Sequence, residues 1–125
     1  SDSGRITLED TEEETRIRLT LRFDRAWASV VKGTEDADFV IDDRDRSEGL
    51  LYVTFVGPQD EEDSGWFDWL WGGEDEHPLA GHQYQIHLDR AGEELTLITL
   101  RGPDGGAVDR RDQQALLTIL RGNIT

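Results

Sequence analysis

The sequence predicts an α+β fold: a two-layer sandwich in which a mostly antiparallel sheet of about five or six strands carries two helices on one face. Three observations predict it. Several short segments alternate apolar and polar residues or are rich in β-branched residues. Two longer ones space their apolar residues at helical intervals. The later strands are joined by links of hairpin length, which makes the sheet mostly antiparallel. The 125 residues, 35% hydrophobic and 33% charged, suit one compact domain burying roughly two-thirds of the unfolded surface.

Residues 1–13 are polar, with a short alternation at Ile6 and Leu8, and are expected to be a linker or a strand remnant ahead of a single domain over 14–125. From Thr15 to Leu21 the alternation is strict, Ile17, Leu19 and Leu21 on one face and Arg16, Arg18 and Thr20 on the other, the pattern of a half-buried strand. Asp24 is a natural N-cap for a helix whose inner side is Ala26, Trp27, Val30 and Val31, with Gly33 at or near its last turn. Phe39–Ile41 is a short strand, 42–49 a polar turn, and 50–56 a longer strand stopped by Gly57-Pro58. Residues 58–81 form a long loop, acidic at both ends. His82 to Leu88 alternates again, Ala91-Gly92 turns the chain, and Leu95 to Arg101 completes a hairpin. After the break at 102–106, Asp109 caps a helix running to Arg121, with Leu116, Ile119 and Leu120 as its buried stripe.

Charge excludes several partners. Thirteen basic residues, Lys32 the single lysine among them, face 28 acidic ones, a net charge of -15. A phosphate backbone or an anionic lipid surface would be repelled. No run approaches the ~20 apolar residues of a membrane span. Without cysteine there is no disulfide, thiolate metal site or cysteine nucleophile. The opening Ser1-Asp2-Ser3-Gly4 lacks the basic and apolar stretches of a signal peptide and reads as a linker remnant of a longer protein.

The strongest local signal is Trp66-Phe67-Asp68-Trp69-Leu70-Trp71, three of the four tryptophans within six residues. A single amphipathic turn would gather Trp66, Phe67, Trp69 and Leu70 on one side. Such clusters anchor partners because they offer large, stiff contact area. They also plug the edge of a domain's own core, and both readings stand. The turn at 42–48 fails the spacing of a calcium loop, since position 48 lacks the turn glycine and Thr54 stands in the slot of the bidentate glutamate; with Arg44 and Arg46 among the would-be ligands, it reads as a solvated turn held by local ion pairs. His82 and His87 point to opposite sides of a strand and His77 stands apart, which argues against zinc. No nucleophile elbow, metalloprotease helix or phosphate loop occurs, and with 28 acids carboxylate pairs arise by chance. Neither a catalytic residue nor a cofactor is expected.

Taken in order, Phe23-Asp24-Arg25-Ala26-Trp27, the run Asp43 to Leu50, Val53-Thr54-Phe55-Val56, Tyr84-Gln85-Ile86, the run Leu100 to Gly105 and Ala115-Leu116-Leu117 resemble the C-terminal domain of the BamC (NlpB/DapX) lipoproteins. The resemblance spans roughly residues 15–121 and lies in the joint order of the segments. It implies a helix-grip domain, an antiparallel sheet wrapped around a long helix. It further implies a non-enzymatic accessory or scaffold part of a lipoprotein in the outer-membrane β-barrel assembly (BAM) complex of Gram-negative bacteria. Such a protein is periplasmic or surface-exposed and is anchored through a lipidated N-terminus that is missing here, its partners being the other BAM components. No catalytic or binding residue carries over from the family, so Trp66, Phe67, Trp69, Leu70 and Trp71 remain this sequence's own candidate. The alternative is a small-molecule or lipid-binding helix-grip domain with the aromatic loop as its lid. Against it, Trp27, Leu19 and Ile86 are expected to fill the space between helix and sheet.

Overall fold

A half-buried strand needs every second residue apolar, and a sheet forms when those residues all face one layer of helices. The computed structural model describes residues 5–57 and 79–124. Its strands are β1 (Ile6–Asp10), β2 (Thr15–Leu19), β3 (Phe39–Asp45), β4 (Leu50–Phe55), β5 (Gln83–Gly92) and β6 (Leu95–Arg101), with helices α1 (Phe23–Asp36) and α2 (Arg110–Asn123). They make one sheet in the order β1-β2-β6-β5-β4-β3, antiparallel throughout. The α+β two-layer sandwich is therefore the fold.

Register carries the burial pattern across the strands. Leu8, Ile17, Ile98 and Leu88 lie side by side on the inner face, as do Leu100, Ile86 and Leu51. Both helices lie over this face and touch each other, α2 above β1, β2 and β6 and α1 above β3, β5 and β6. Trp27, Leu19 and Ile86 are all buried in the shared core, so the helix–sheet interface is filled with side chains. The chain leaves β2 near one edge and re-enters at β3 on the other, four strand spacings or ~19 Å away. The 14 residues of α1 span ~21 Å, the length that crossing needs.

The two helices meet at Gly33, in the last turn of α1. A Cβ there would lie 2.9 Å from Ile124 Cγ1 and 3.1 Å from the Asn123 carbonyl oxygen. The glycine thus sets how closely α1 can approach the end of α2.

Element boundaries differ from expectation for physical reasons. Ile6–Asp10 is a full edge strand. Thr11 closes its hairpin, donating from its amide to Glu14 O at 2.8 Å while its hydroxyl accepts the Glu14 amide at 3.1 Å. The first turn of α2 clamps this hairpin from far along the sequence. Gln113 Oε1 accepts the buried Thr15 amide at 2.7 Å and its Nε2 donates to Val108 O at 2.6 Å. Arg110 donates to the carbonyls of Thr11 and Glu12 at 2.8 and 3.0 Å.

Helix α1 starts two residues earlier than a cap at Asp24 allows, because Phe23 enters the first turn and stacks on Trp27 one turn later, centroids 6.1 Å apart. Arg22 holds the cap position with no side-chain bond, and Asp24 lies in the first turn, where a carboxylate suits the positive helix end. Asp109 does stand at the α2 cap position, yet its side chain makes no cap bond. The second helix also runs past Arg121 to Asn123, whose Nδ2 donates to Ile119 O at 2.9 Å.

The stretch expected as a polar turn after Ile41 is strand through Asp45, with a bulge between Ile41 and Asp43 and then one 3-10 turn over Arg46–Glu48. An edge strand needs no apolar outer residues, and charge and a bulge protect it from pairing. Gly49 closes the turn at φ 67; a Cβ there would fall 2.2 Å from Leu88 O, so only glycine fits. Strand β5 continues beyond Leu88 to Gly92, placing the turn at Glu93-Glu94 rather than at Ala91-Gly92.

Gly33→Ala is expected to destabilise the fold by about 1–3 kcal/mol through overpacking, despite its better helix propensity. Gly122→Ala, with open space around it, should gain up to about 0.5 kcal/mol. Urea midpoints of the two variants check this; a gain at both positions would mean that α1 and α2 are not held against each other at Gly33.

Candidate functional site

The aromatic candidates Trp66, Phe67, Trp69, Leu70 and Trp71 lie outside the described residues, as does His77. The residues on either side of the segment at 58–78 are described. On the β4 side, the Val56 and Gly57 amides donate to Asp38 O at 3.0 and 3.3 Å. Beyond the segment, Leu79 is buried, the Gly81 amide donates to Phe55 O at 2.7 Å and the Phe55 amide to His82 O at 3.0 Å. Gly57 and Gly81 both take positive φ, 76° and 86°, so the chain leaves and re-enters through two sharp glycine bends at one end of the sheet.

The same end holds a groove of about 500 Å³ between the start of β5, the 102–106 turn and the start of α2. Its walls include His82, Tyr84, Pro103, Val108, Asp109 and Asp112. Tyr84 belongs to the inner face of β5 and is 6% exposed, yet its hydroxyl makes no hydrogen bond among the described residues. Burial, reinforced by the negative charge of Asp112, pushes its pKa up to about 12, so it remains an O–H at neutral pH. The Asp112 carboxyl is also raised, first by burial and then by the charge of Asp109, with Arg111 and His82 pulling the other way. Neither carboxylate makes a hydrogen bond or a close ion pair among the described residues. The arrangement is an acidic rim over a partly apolar floor, and it can accept hydrogen bonds and positive charge.

Among the described residues, no helix lies over the opposite face of the sheet. Its rows run Arg18–Leu97–Asp89, Thr99–His87–Leu50–Asp45 and Arg101–Gln85–Tyr52–Asp43, grading from arginine near β2 to aspartate at β3. Much of this charge is spent internally: Arg16 pairs with Glu9 at 2.7 Å and Arg101 with Glu14 at 3.4 Å. His87 Nε2 lies 2.9 Å from Gln85 Oε1. Burial, with help from Arg101, lowers the pKa of His87 against a smaller opposing effect of Asp89, keeping it neutral. Thr99 Oγ1 is buried there without a partner.

Sequence expectations meet this geometry unevenly. His82 and His87 are separated as expected, one in the groove and one on the open face. The 42–48 turn is held by hydrogen bonds rather than ion pairs: Thr54 donates to Asp42 at 2.6 Å, and Ser47 and the Glu48 amide donate to Asp45 at 2.8 and 3.2 Å. The groove was not legible, because Asp109 reads as a cap and Tyr84 as core. The available signal was that two glycine-marked turns and a helix start must meet beside Tyr84.

Since the folded Asp112 carboxyl titrates above its ordinary 3.8, the folded chain binds more protons than the unfolded one between the two values. Stability contributed there is present at low pH and lost as pH rises. Asp112→Asn should therefore match the parent below about pH 3.5 and exceed it in stability at pH 7. Urea unfolding across that range decides it; a pH-independent difference would contradict the assignment.

The family model described as "Outer membrane protein assembly factor BamC-like C-terminal domain" matches residues 2–124. Among curated proteins, the outer membrane protein assembly factor BamC of Thiobacillus denitrificans is 32% identical over 102 residues, covering 78% of this chain and 28% of the relative. Its namesake in Pseudoalteromonas atlantica is 30% identical over 93 residues, 74% and 24% of the two chains. That of Ferrimonas balearica is 34% identical over 91 residues, 73% and 23%. The chain spans about a quarter of the length of these relatives.

Proposed function

The chain belongs to the family of BamC-like C-terminal domains of outer membrane protein assembly factors, and from that membership we propose that it is a non-enzymatic accessory domain of a lipoprotein in the BAM complex, acting through protein–protein contacts. The match over residues 2–124 carries the reading. On it, the whole protein is held at the outer membrane by a lipidated N-terminus and meets other assembly components with this domain. The described surface is in keeping with such a role: its grooves are shallow and solvent-facing, and the space between helices and sheet is taken by core side chains.

Within that role the aromatic run Trp66, Phe67, Trp69, Leu70 and Trp71 is the partner anchor. Support comes from its composition and from the two rigid glycine bends that root its segment beside the acidic groove. A stiff aromatic group on a fixed base contributes contact area at little entropic cost.

Co-purification with the full-length protein tests both levels. The parent is expected to retain other assembly components. The triple variant Trp66→Ala, Trp69→Ala, Trp71→Ala should retain at least about tenfold less, as loss of anchor residues does, while unfolding within about 2 °C of the parent. Failure of the parent to retain any component overturns the assembly role; full retention by the triple variant overturns the anchor.

A further inference from the structure

The groove at the start of α2 holds three groups that the fold does not use. Tyr84 is 94% buried by its 6% exposure, and its hydroxyl opens into the groove without a hydrogen bond among the described residues. Asp109 occupies the α2 cap position, but its carboxylate does not cap. Asp112, one turn on, is half-covered and faces the same space, again with no hydrogen bond or close ion pair among the described residues. Asp109 is exposed and Asp112 half-covered, and two carboxylates held near each other repel, a cost the folded chain bears. The raised pKa of Asp112, caused by burial and then by Asp109, is the mark of it.

What relieves such an arrangement is a cation with several donors. Carboxylates accept only, whereas a guanidinium donates from a planar fork of five N–H groups and accepts nothing. A phenol oxygen can take one further N–H. Pro103, Ala107 and Val108 on the wall suit the methylene stem that carries a guanidinium. Lysine offers a compact charge without the fork, and so matches two separate carboxylates less well.

We infer that this groove is a docking site for an arginine side chain presented by a short segment of a partner protein, with Asp109 and Asp112 taking the guanidinium and the Tyr84 hydroxyl completing its hydrogen bonds. The inference rests on the reading of this chain as a protein-contact domain and supplies the chemistry of one contact. Long-range steering agrees with it, since a chain of net charge -15 draws basic segments toward itself.

The test uses the 125-residue chain labelled with ¹⁵N and three capped pentapeptides: Ala-Ala-Arg-Ala-Ala, its lysine counterpart, and its citrulline counterpart, which keeps the shape and loses the charge. The arginine peptide should shift the amides of Gly81, Gln83, Tyr84, Gly102 and Asp112 saturably. The lysine peptide should bind about threefold more weakly, and the citrulline peptide at least about tenfold more weakly. The double variant Asp109→Asn, Asp112→Asn should lose at least about tenfold of the arginine affinity, and Tyr84→Phe about threefold. Each variant is compared at equal folded fraction by its unfolding midpoint. No saturable shift, shifts elsewhere on the chain, equal binding of the citrulline peptide, or unchanged affinity in the double variant would each overturn the inference. Failure here with intact co-purification of the full-length protein removes only the groove. Peptide binding in a full-length protein that retains no assembly component removes the wider role instead.

Discussion

Among the described residues, a six-stranded sheet with one face to cover and two 14-residue helices to cover it depends on how closely those helices can lie. Strands ~4.8 Å apart give a surface near 25 Å wide, and two helices packed at 8–10 Å cover it only if nothing wedges them apart. Gly33 meets that constraint, since a Cβ there would lie 2.9 Å from the Ile124 side chain and 3.1 Å from the Asn123 carbonyl oxygen, and one of the two would have to give way. The diagonal path of α1 follows from the same geometry. The helix must cross from β2 to the β3 edge while leaving room for α2 over β1, β2 and β6. With both helices seated, Ile17, Leu51, Ile86 and Ile98 become fully buried, and the other sheet face is left to arginine, aspartate, glutamine and histidine.

A second consequence is that the two ends of the sandwich differ. At one end Phe23 enters the first turn of α1 and is covered by the Arg90 guanidinium 4.1 Å above its ring, a contact that closes that corner. At the other, β4 and β5 open into the glycine bends of the long connection, and α2 begins with uncapped carboxylates. The first end is closed by core side chains, and the second carries polar groups that the described fold leaves open. On the proposed reading of a protein-contact domain, that asymmetry puts the available chemistry at the end where the long connection begins and ends.

Much of the architecture was legible in the sequence because it rests on local periodicity. Ile17 and Leu19, Tyr84 to Leu88, and Leu116 to Leu120 announce their faces by spacing alone. The missed parts were set by partners distant in sequence. Residues 1–13 read as a linker or a strand remnant, and the β1–β2 hairpin is tied down by Gln113, Arg110 and Gln114 from about a hundred residues away. The polar half of β3 lacks alternation because it is an edge. Asp24 looks like a cap because the sequence does not show that Phe23 must enter the helix to meet Trp27. The groove was illegible for a related reason: Asp109 and Asp112 each have a plausible helix-start role, and only the folded chain shows that both stand unused over a buried phenol. The aromatic run at 66–71, conspicuous in the sequence, lies outside the described residues.

The proposal that the aromatic run at 66–71 anchors a partner is tested most directly by indole N–H hydrogen exchange. Trp27, 7% exposed in the core, serves as the slow internal standard. In the full-length protein alone, Trp66, Trp69 and Trp71 should exchange orders of magnitude faster than Trp27, and should slow when the other assembly components are added. Exchange of all four indoles at the slow rate of Trp27 before any partner is present would contradict the account, making the cluster part of the domain's own core.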